Sequence, residues 1–348
     1  ASSLTANAIP LEVFHSLVRT TREQLPTIQR YTALKRRVLG VDPISEHDLY
    51  VPLFPDAEFK HGYEEAQALL LEALAPLGPE YLAIVREAFA ARWIDVHENS
   101  GKRSGAYSSG AYGTPPYILL NWSDQLRDTF TLAHELGHSG HSYLAMKHQP
   151  YVYGDYPIFT AEVASTLNEA LLLDFLLRRT TDRSRRLFLL DYWLTQINDT
   201  VFRQTMFAEF EHSIHVLGEE GDTLTASRLG EIYLGLAREY WGPEVAFDPE
   251  RSGRTWGRIP HFYYNYYVYQ YATAYAAAAV IARRILDGAP GARERYLDFL
   301  RSGSSRYPVE TLALAGVDVT TPAPVQGVMK LFSTLLDEVE RLLAEGDR

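Results

Sequence analysis

The chain has 348 residues, enough for one large helical domain or about two domains of ordinary size. Apolar residues make up 46% and charged residues 22%, which supplies material for a core and excludes global disorder. Thirty-three basic residues against 44 acidic ones give a net charge of −11, which argues against a nucleic-acid partner, while the absence of cysteine excludes disulfides and thiolate chemistry and fits a reducing, cytoplasmic setting. The first residues, ASSLTANAIPLEVFHS, do not show the basic stretch and apolar run of a secretory signal.

Taken in chain order, most of the sequence predicts long amphipathic helices. Residues 11–38 carry apolar side chains near helical spacing, with a kink or break at Pro26. Two helices follow at 63–75 and 79–92, with Pro79 at a helix start. Residues 93–97 and 117–121 read instead as two strands joined by a glycine-rich loop, GKRSGAYSSGAYGTPP. This loop lacks the spacing of a phosphate cradle. Helices are predicted again over 123–147, 159–178, 183–217, 223–240, 262–286 and 325–345. Residues 262–282 are uncharged over the length of a membrane span, but tyrosines crowd their first half, so a buried helix and no membrane partner are expected. The whole chain reads as a single catalytic domain, 1–348. A helical segment 1–92 and the strands of 93–121 precede a metal-binding helical core, 122–348.

The strongest chemical signal is His134-Glu135-Leu136-Gly137-His138. At 3.6 residues per turn, His134 and His138 share a helix face, so both imidazoles can reach one ion. Zinc suits such ligands and leaves a position open for water. Glu135 follows the first ligand directly and points beside the ion, where a general base for that water belongs. His141 shares the face, but three turns of one straight helix span about 10 Å, too far to converge on one ion. It is therefore expected to line the pocket or support the ligands. The next helix offers Glu162 and Glu169, seven apart and on one face. One would bind the metal and the other would accept a hydrogen bond from a ligand imidazole.

These residues resemble the M3 metallopeptidases, in particular the oligoendopeptidase F branch. The likeness is carried by HELGH (134–138), AEVAST (161–166), WIDVHENSGKRSGAYSSGAYGTPPYILLNW (93–122), RQTMFAEFE (203–211) and IPHFYYNYYVYQYATAYAAAA (259–279). It runs over essentially the whole chain. It implies a mainly α-helical, gluzincin-like fold with a small hairpin or sheet near the active-site helix, enclosing a channel that admits oligopeptides. It implies one Zn2+ held by His134, His138 and Glu162, with Glu135 as the catalytic base. Glu169 and His141 stand behind the ligands. Members of the branch carry a further N-terminal helical region not seen here. A missing or separately supplied N-terminal portion, and a homo-oligomer, are both compatible with the sequence.

Peptide hydrolysis builds negative charge on the carbonyl oxygen, which phenol and imidazole donors can stabilise. The resemblance puts His261 and one or two nearby tyrosines in that role. Tyr266 and Tyr269, three apart on the predicted helix, are the choice. At least four of the seven tyrosines between 263 and 275 are expected to be core. Glu211, His212 and His215 share a face of another helix, where ion pairing or core contacts outweigh a second metal site. The function expected is a zinc-dependent endopeptidase acting on short, unstructured oligopeptides. A metallocarboxypeptidase on a related fold would need a basic residue for the terminal carboxylate. A non-catalytic peptide-binding subunit would hold zinc without cleaving.

Overall fold

The computed structural model describes residues 2–54 and 60–346. In chain order its helices are α1 (Ser2–Ala6), α2 (Leu11–Glu23), α3 (Leu25–Leu39), α4 (Tyr63–Ala73), α5 (Gly78–Ala90), α6 (Leu126–His148), α7 (Ile158–Arg179), α8 (Arg183–Ile197), α9 (Arg203–Glu219), α10 (Ala226–Trp241), α11 (Pro249–Ser252), α12 (Tyr269–Leu286), α13 (Ala292–Arg301), α14 (Pro308–Leu314) and α15 (Ala323–Gly346). The strands are β1 (Ile44–Ser45), β2 (Ile94–His97), β3 (Tyr107–Ser109), β4 (Tyr117–Trp122) and β5 (Val245–Ala246). The mainly α fold with a small sheet is the one the sequence predicts.

Local chemistry explains where the predicted helices stop. The break expected at Pro26 falls at Gln24, with the proline in the first turn of α3, where its missing N–H removes no helical bond. The single helix predicted over 183–217 is α8 and α9 joined by one π turn, Asn198–Phe202. The helix predicted from 262 begins only at Tyr269. Before it come a 3-10 turn, Pro260–Tyr264, and two left-handed residues, Asn265 and Tyr266, with φ of 50° and 56°. Left-handed residues cannot continue a right-handed helix. The short helices α13 and α14 were not predicted.

The glycine-rich segment also differs from the two-strand reading. Its middle supplies β3, which pairs antiparallel with β4, while β2 pairs parallel with β4 on the other side. The predicted strands are thus no hairpin: the segment between them is long enough to bring the chain back before β4 runs alongside β2. β3 is left at the edge of the sheet.

The chain forms two compact units. One comprises residues 1–55, 182–273 and 320–348, the other residues 56–181 and 274–319. In the first, α15 packs on α8, α10 on α3 and α9, and β1 pairs with β5. Buried Asp191 accepts hydrogen bonds there from the Tyr31 hydroxyl at 3.0 Å and the Leu53 amide at 2.8 Å. In the second, α6 packs on α7, α13, α5 and the sheet. No single helix among the described residues is long and apolar enough to cross a membrane.

The α6–α7 contact is the most extensive of these. Leu132, Ala133 and Leu136 of α6, and Val163, Ala164 and Leu167 of α7, are buried. A Cβ on Gly137 would lie 2.5 Å from the Ala164 carbonyl oxygen and from Ser165 Cα, which are backbone atoms that cannot swing aside. Gly137→Ala is therefore expected to destabilise the protein by about 1–3 kcal/mol, as overpacking does. Gly235→Ala, on α10 with nothing within 4 Å of the added methyl, is the control. It should be neutral or stabilise by about 0.5–1 kcal/mol. Urea unfolding of both variants checks the contrast.

Candidate metal centre

The N-terminus of α6 is fixed by Asp128, whose Oδ2 accepts the Gln125 amide at 3.0 Å and the Ser123 amide at 2.8 Å. The helix then runs for six turns and presents His134 and His138 to α7. Their Nε2 atoms stand 3.2 Å apart. Glu162 Oε2 on α7 lies 3.4 Å from His134 Nε2 and 3.8 Å from His138 Nε2. Tetrahedral donors at metal distances of about 2.0–2.1 Å stand roughly 3.3–3.4 Å from one another. The triangle thus has about the dimensions of three corners of a single tetrahedral site. Among the described residues, these three are the one group of His, Cys, Asp and Glu whose donor atoms converge this way.

The surroundings fit a cation. Glu169 Oε1 accepts a hydrogen bond from His134 Nδ1 at 2.6 Å, which leaves the Nε2 lone pair directed at the donor triangle. Burial by itself would depress the His134 imidazole, but Glu169, with Glu162 and Glu135 nearby, raises it to about 9. The pocket therefore favours positive charge at this ring, and a divalent ion meets the same demand. Burial and the neighbouring His134 push His138 down to about 4, so it offers a neutral ligand. Its ring also hydrogen-bonds the Ala161 backbone.

Glu135 is 6% exposed and not a member of the donor group. The Ser108 amide of β3 donates to its carboxyl, while Oε2 has no hydrogen-bond partner. Burial pushes Glu135 up to about 7, despite the opposing pull of His134. A buried carboxyl that titrates near neutral pH, with one oxygen uncommitted, is suited to taking and returning a proton.

His141 lies apart from the donors, as helix geometry requires. It is 1% exposed and stacks on Tyr156 with ring centroids 3.6 Å apart. Burial lowers it to about 3. Tyr156 in turn bonds the Ser142 hydroxyl at 2.8 Å. Supporting residues that the sequence reading passed over include Asn168, whose Nδ2 donates to the Ala133 carbonyl at 3.0 Å. Tyr81 donates to the Asn168 carbonyl oxygen at 3.2 Å. Ser139 of α6 meets Ser108 of β3 at 2.8 Å. An asparagine at mid-helix between two glutamates was a usable signal, because a side chain of that kind needs a partner when buried.

His261, Tyr266 and Tyr269 belong to the other unit. The His261 ring stacks on Tyr267 at 5.6 Å and meets Tyr271 edge-on at 5.8 Å. The Tyr266 hydroxyl meets His212 Nδ1 at 3.1 Å, and its ring stacks on His215 at 5.0 Å. Tyr269 is 2% exposed, edge-on to Phe14. Tyr266 and Tyr269 therefore do not share a helix face, because the helix starts only at Tyr269. Only Tyr269 and Tyr275 of the seven tyrosines are buried, fewer than the four expected, since the left-handed turn leaves the preceding rings outside a packed helix. Glu211, His212 and His215 hold Tyr266 and do not converge as metal donors.

Comparisons with known proteins give the likenesses of the whole chain. A family model described as Peptidase family M3 matches residues 1–331. Oligopeptidase PepF of Bacillus subtilis is 53% identical over 342 residues, covering 98% of this chain and 51% of its own length. Group B oligopeptidase PepB of Streptococcus agalactiae is 46% identical, covering 99% and 57%. The crystal structure of oligoendopeptidase-F from Enterococcus faecium matches with a TM-score of 0.79 and 38% identity, over 99% of this chain and 55% of that one. The chain thus spans little more than half the length of the relatives it matches.

Glu169→Gln keeps the shape but weakens the carboxylate's hold on His134. It should lower metal affinity about 10–100-fold, as loss of such an imidazole partner does. Titration against a chelating indicator measures this.

Proposed function

Because the chain belongs to peptidase family M3, we propose that it hydrolyses short, unstructured oligopeptides as a zinc-dependent endopeptidase. His134, His138 and Glu162 are the proposed ligands. The observation that carries the reading is their donor triangle, with an uncommitted buried carboxyl of Glu135 beside it. Names of similar proteins, oligopeptidase and oligoendopeptidase, support the substrate class. A cytoplasmic setting is part of the proposal and rests on the cysteine-free sequence.

When bound, zinc would act as a Lewis acid toward water and the peptide carbonyl. Glu135 takes a proton from the attacking water as oxygen bonds to the carbonyl carbon. It then gives that proton to the amide nitrogen as the C–N bond breaks, and the second proton of the water passes from the new carboxyl to the amine, so that a carboxylate and a protonated amine leave. Glu169 holds the His134 tautomer throughout. The Ser108 amide fixes the Glu135 carboxyl while leaving Oε2 free for the proton. His261 is the proposed oxyanion donor, following the resemblance. Tyr267 and Tyr271, whose rings contact it and whose hydroxyls meet each other at 3.4 Å, are better candidates than Tyr269, which is buried, or Tyr266, which packs against His212 and His215 instead.

Glu135→Gln is expected to bind zinc normally and to lose about 10²–10⁴ in turnover of a quenched oligopeptide, the span of general acid–base catalysis. Unchanged turnover would overturn the proposed mechanism. His261→Ala should lose about 10²–10³ in kcat, the effect of removing one oxyanion donor. Zinc content should remain at one per chain.

A further inference from the structure

Glu211 is a buried carboxylate that the proposed reaction does not use. It lies on α9 and is 1% exposed. Its Oε1 accepts the Tyr266 amide at 2.6 Å, and its Oε2 has no hydrogen-bond partner. Burying a carboxyl for one backbone hydrogen bond is costly, and an apolar side chain would fill the space at lower cost. Its value must lie in the amide that it holds.

That amide belongs to an unusual turn. Asn265 and Tyr266 are consecutive left-handed residues, and a tyrosine with a positive φ is disfavoured by contact of its Cβ with the backbone. Such a conformation persists only where its surroundings over-determine it. One face of α9 does so from several sides. Besides the Glu211 bond, His212 engages the Tyr266 hydroxyl and His215 stacks on its ring. Phe207 and Phe210 of the same helix pack on Phe262 at 5.7 Å and 5.1 Å. The segment from Phe262 to Tyr266 is thus fastened to α9 at both ends. The turn separates the 3-10 stretch carrying His261 from the start of α12, and His261 packs across it onto Tyr267 and Tyr271.

We propose that Glu211 is a positioning residue: by accepting the Tyr266 amide it holds the left-handed turn and so sets the ring cluster of His261, Tyr267 and Tyr271. Its relevance to turnover rests on the peptidase reading above. Three of the five positions named on α9 make polar or ring contacts with one tyrosine, which accounts for a cluster that otherwise resembles an incomplete metal site.

Two substitutions separate the amide-holding role from simple packing. Glu211→Gln keeps an acceptor oxygen, whereas Glu211→Leu removes it at similar volume. The Gln variant should keep kcat within about threefold of the parent, while the Leu variant should lose about 10²-fold in kcat with KM little changed, the effect expected of a small misplacement. Hydrogen exchange followed by mass spectrometry over residues 262–268 should accelerate in the Leu variant only. Zinc uptake at His134, His138 and Glu162 should be the same in all three proteins, and an unchanged far-ultraviolet circular dichroism spectrum and unfolding midpoint verify that the fold stands. Unchanged exchange in the Leu variant would overturn the proposal. So would faster exchange with kcat intact, or a loss expressed wholly in KM. If the parent chain cleaves no peptide, the peptidase reading fails, and the exchange comparison alone then decides whether Glu211 holds the turn.

Discussion

Helices α6 and α7 touch backbone to backbone at Gly137, and the geometry of the candidate metal centre follows from that contact. The glycine lets the Ala164 carbonyl and Ser165 approach to a distance that any side chain would forbid. The approach carries Glu162 to within 4 Å of both histidine Nε2 atoms and Glu169 to the Nδ1 of one of them. Asn168, lying between those glutamates in sequence, bonds the α6 backbone and resists sliding of one helix along the other. A shift of one residue would move each α7 side chain by about 100° around its axis and dissolve the triangle.

The same contact sets the electrostatics. Three carboxyl groups and two imidazoles occupy a largely buried space, where unmatched charge is expensive. The raised His134 and lowered His138 share one setting: despite burial, the carboxylates of Glu169, Glu162 and Glu135 favour positive charge on His134, while burial and that neighbour keep His138 neutral. A divalent cation suits that setting better than a proton, since it can engage both rings and Glu162 at once. Glu135 sits outside the ligand set, tied by the edge strand β3 through Ser108. The sheet thus orients a carboxyl beside the donor triangle without adding a donor to it.

The tyrosine-rich segment follows a different principle. Its composition and lack of charge favour a helix, and a helix does form from Tyr269. The first part is held off helical geometry by α9, which presents a carboxylate, two imidazoles and two phenyl rings to it. Here tertiary contacts override local propensity. The result is a group of half-exposed rings around His261 where a continuous helix would have buried them on one face.

The sequence by itself determined the helical class, the pair of imidazoles one turn apart, the carboxyl that follows the first of them and the two glutamates on one face of the following helix. Those properties depend on spacing along one helix, and helical geometry is local and fixed. It also marked the non-helical stretch 93–121 through its β-forming residues and glycines. The tertiary structure alone decided the rest. It set Glu162 beside both histidine Nε2 atoms and Glu169 against the Nδ1 of His134, two places that spacing left open between them. It drew β3 out of the glycine-rich segment, paired β2 parallel to β4, and separated Tyr266 from Tyr269. Each of these depends on where distant segments meet, and contacts between residues far apart in the chain leave no periodic trace in the sequence of either partner.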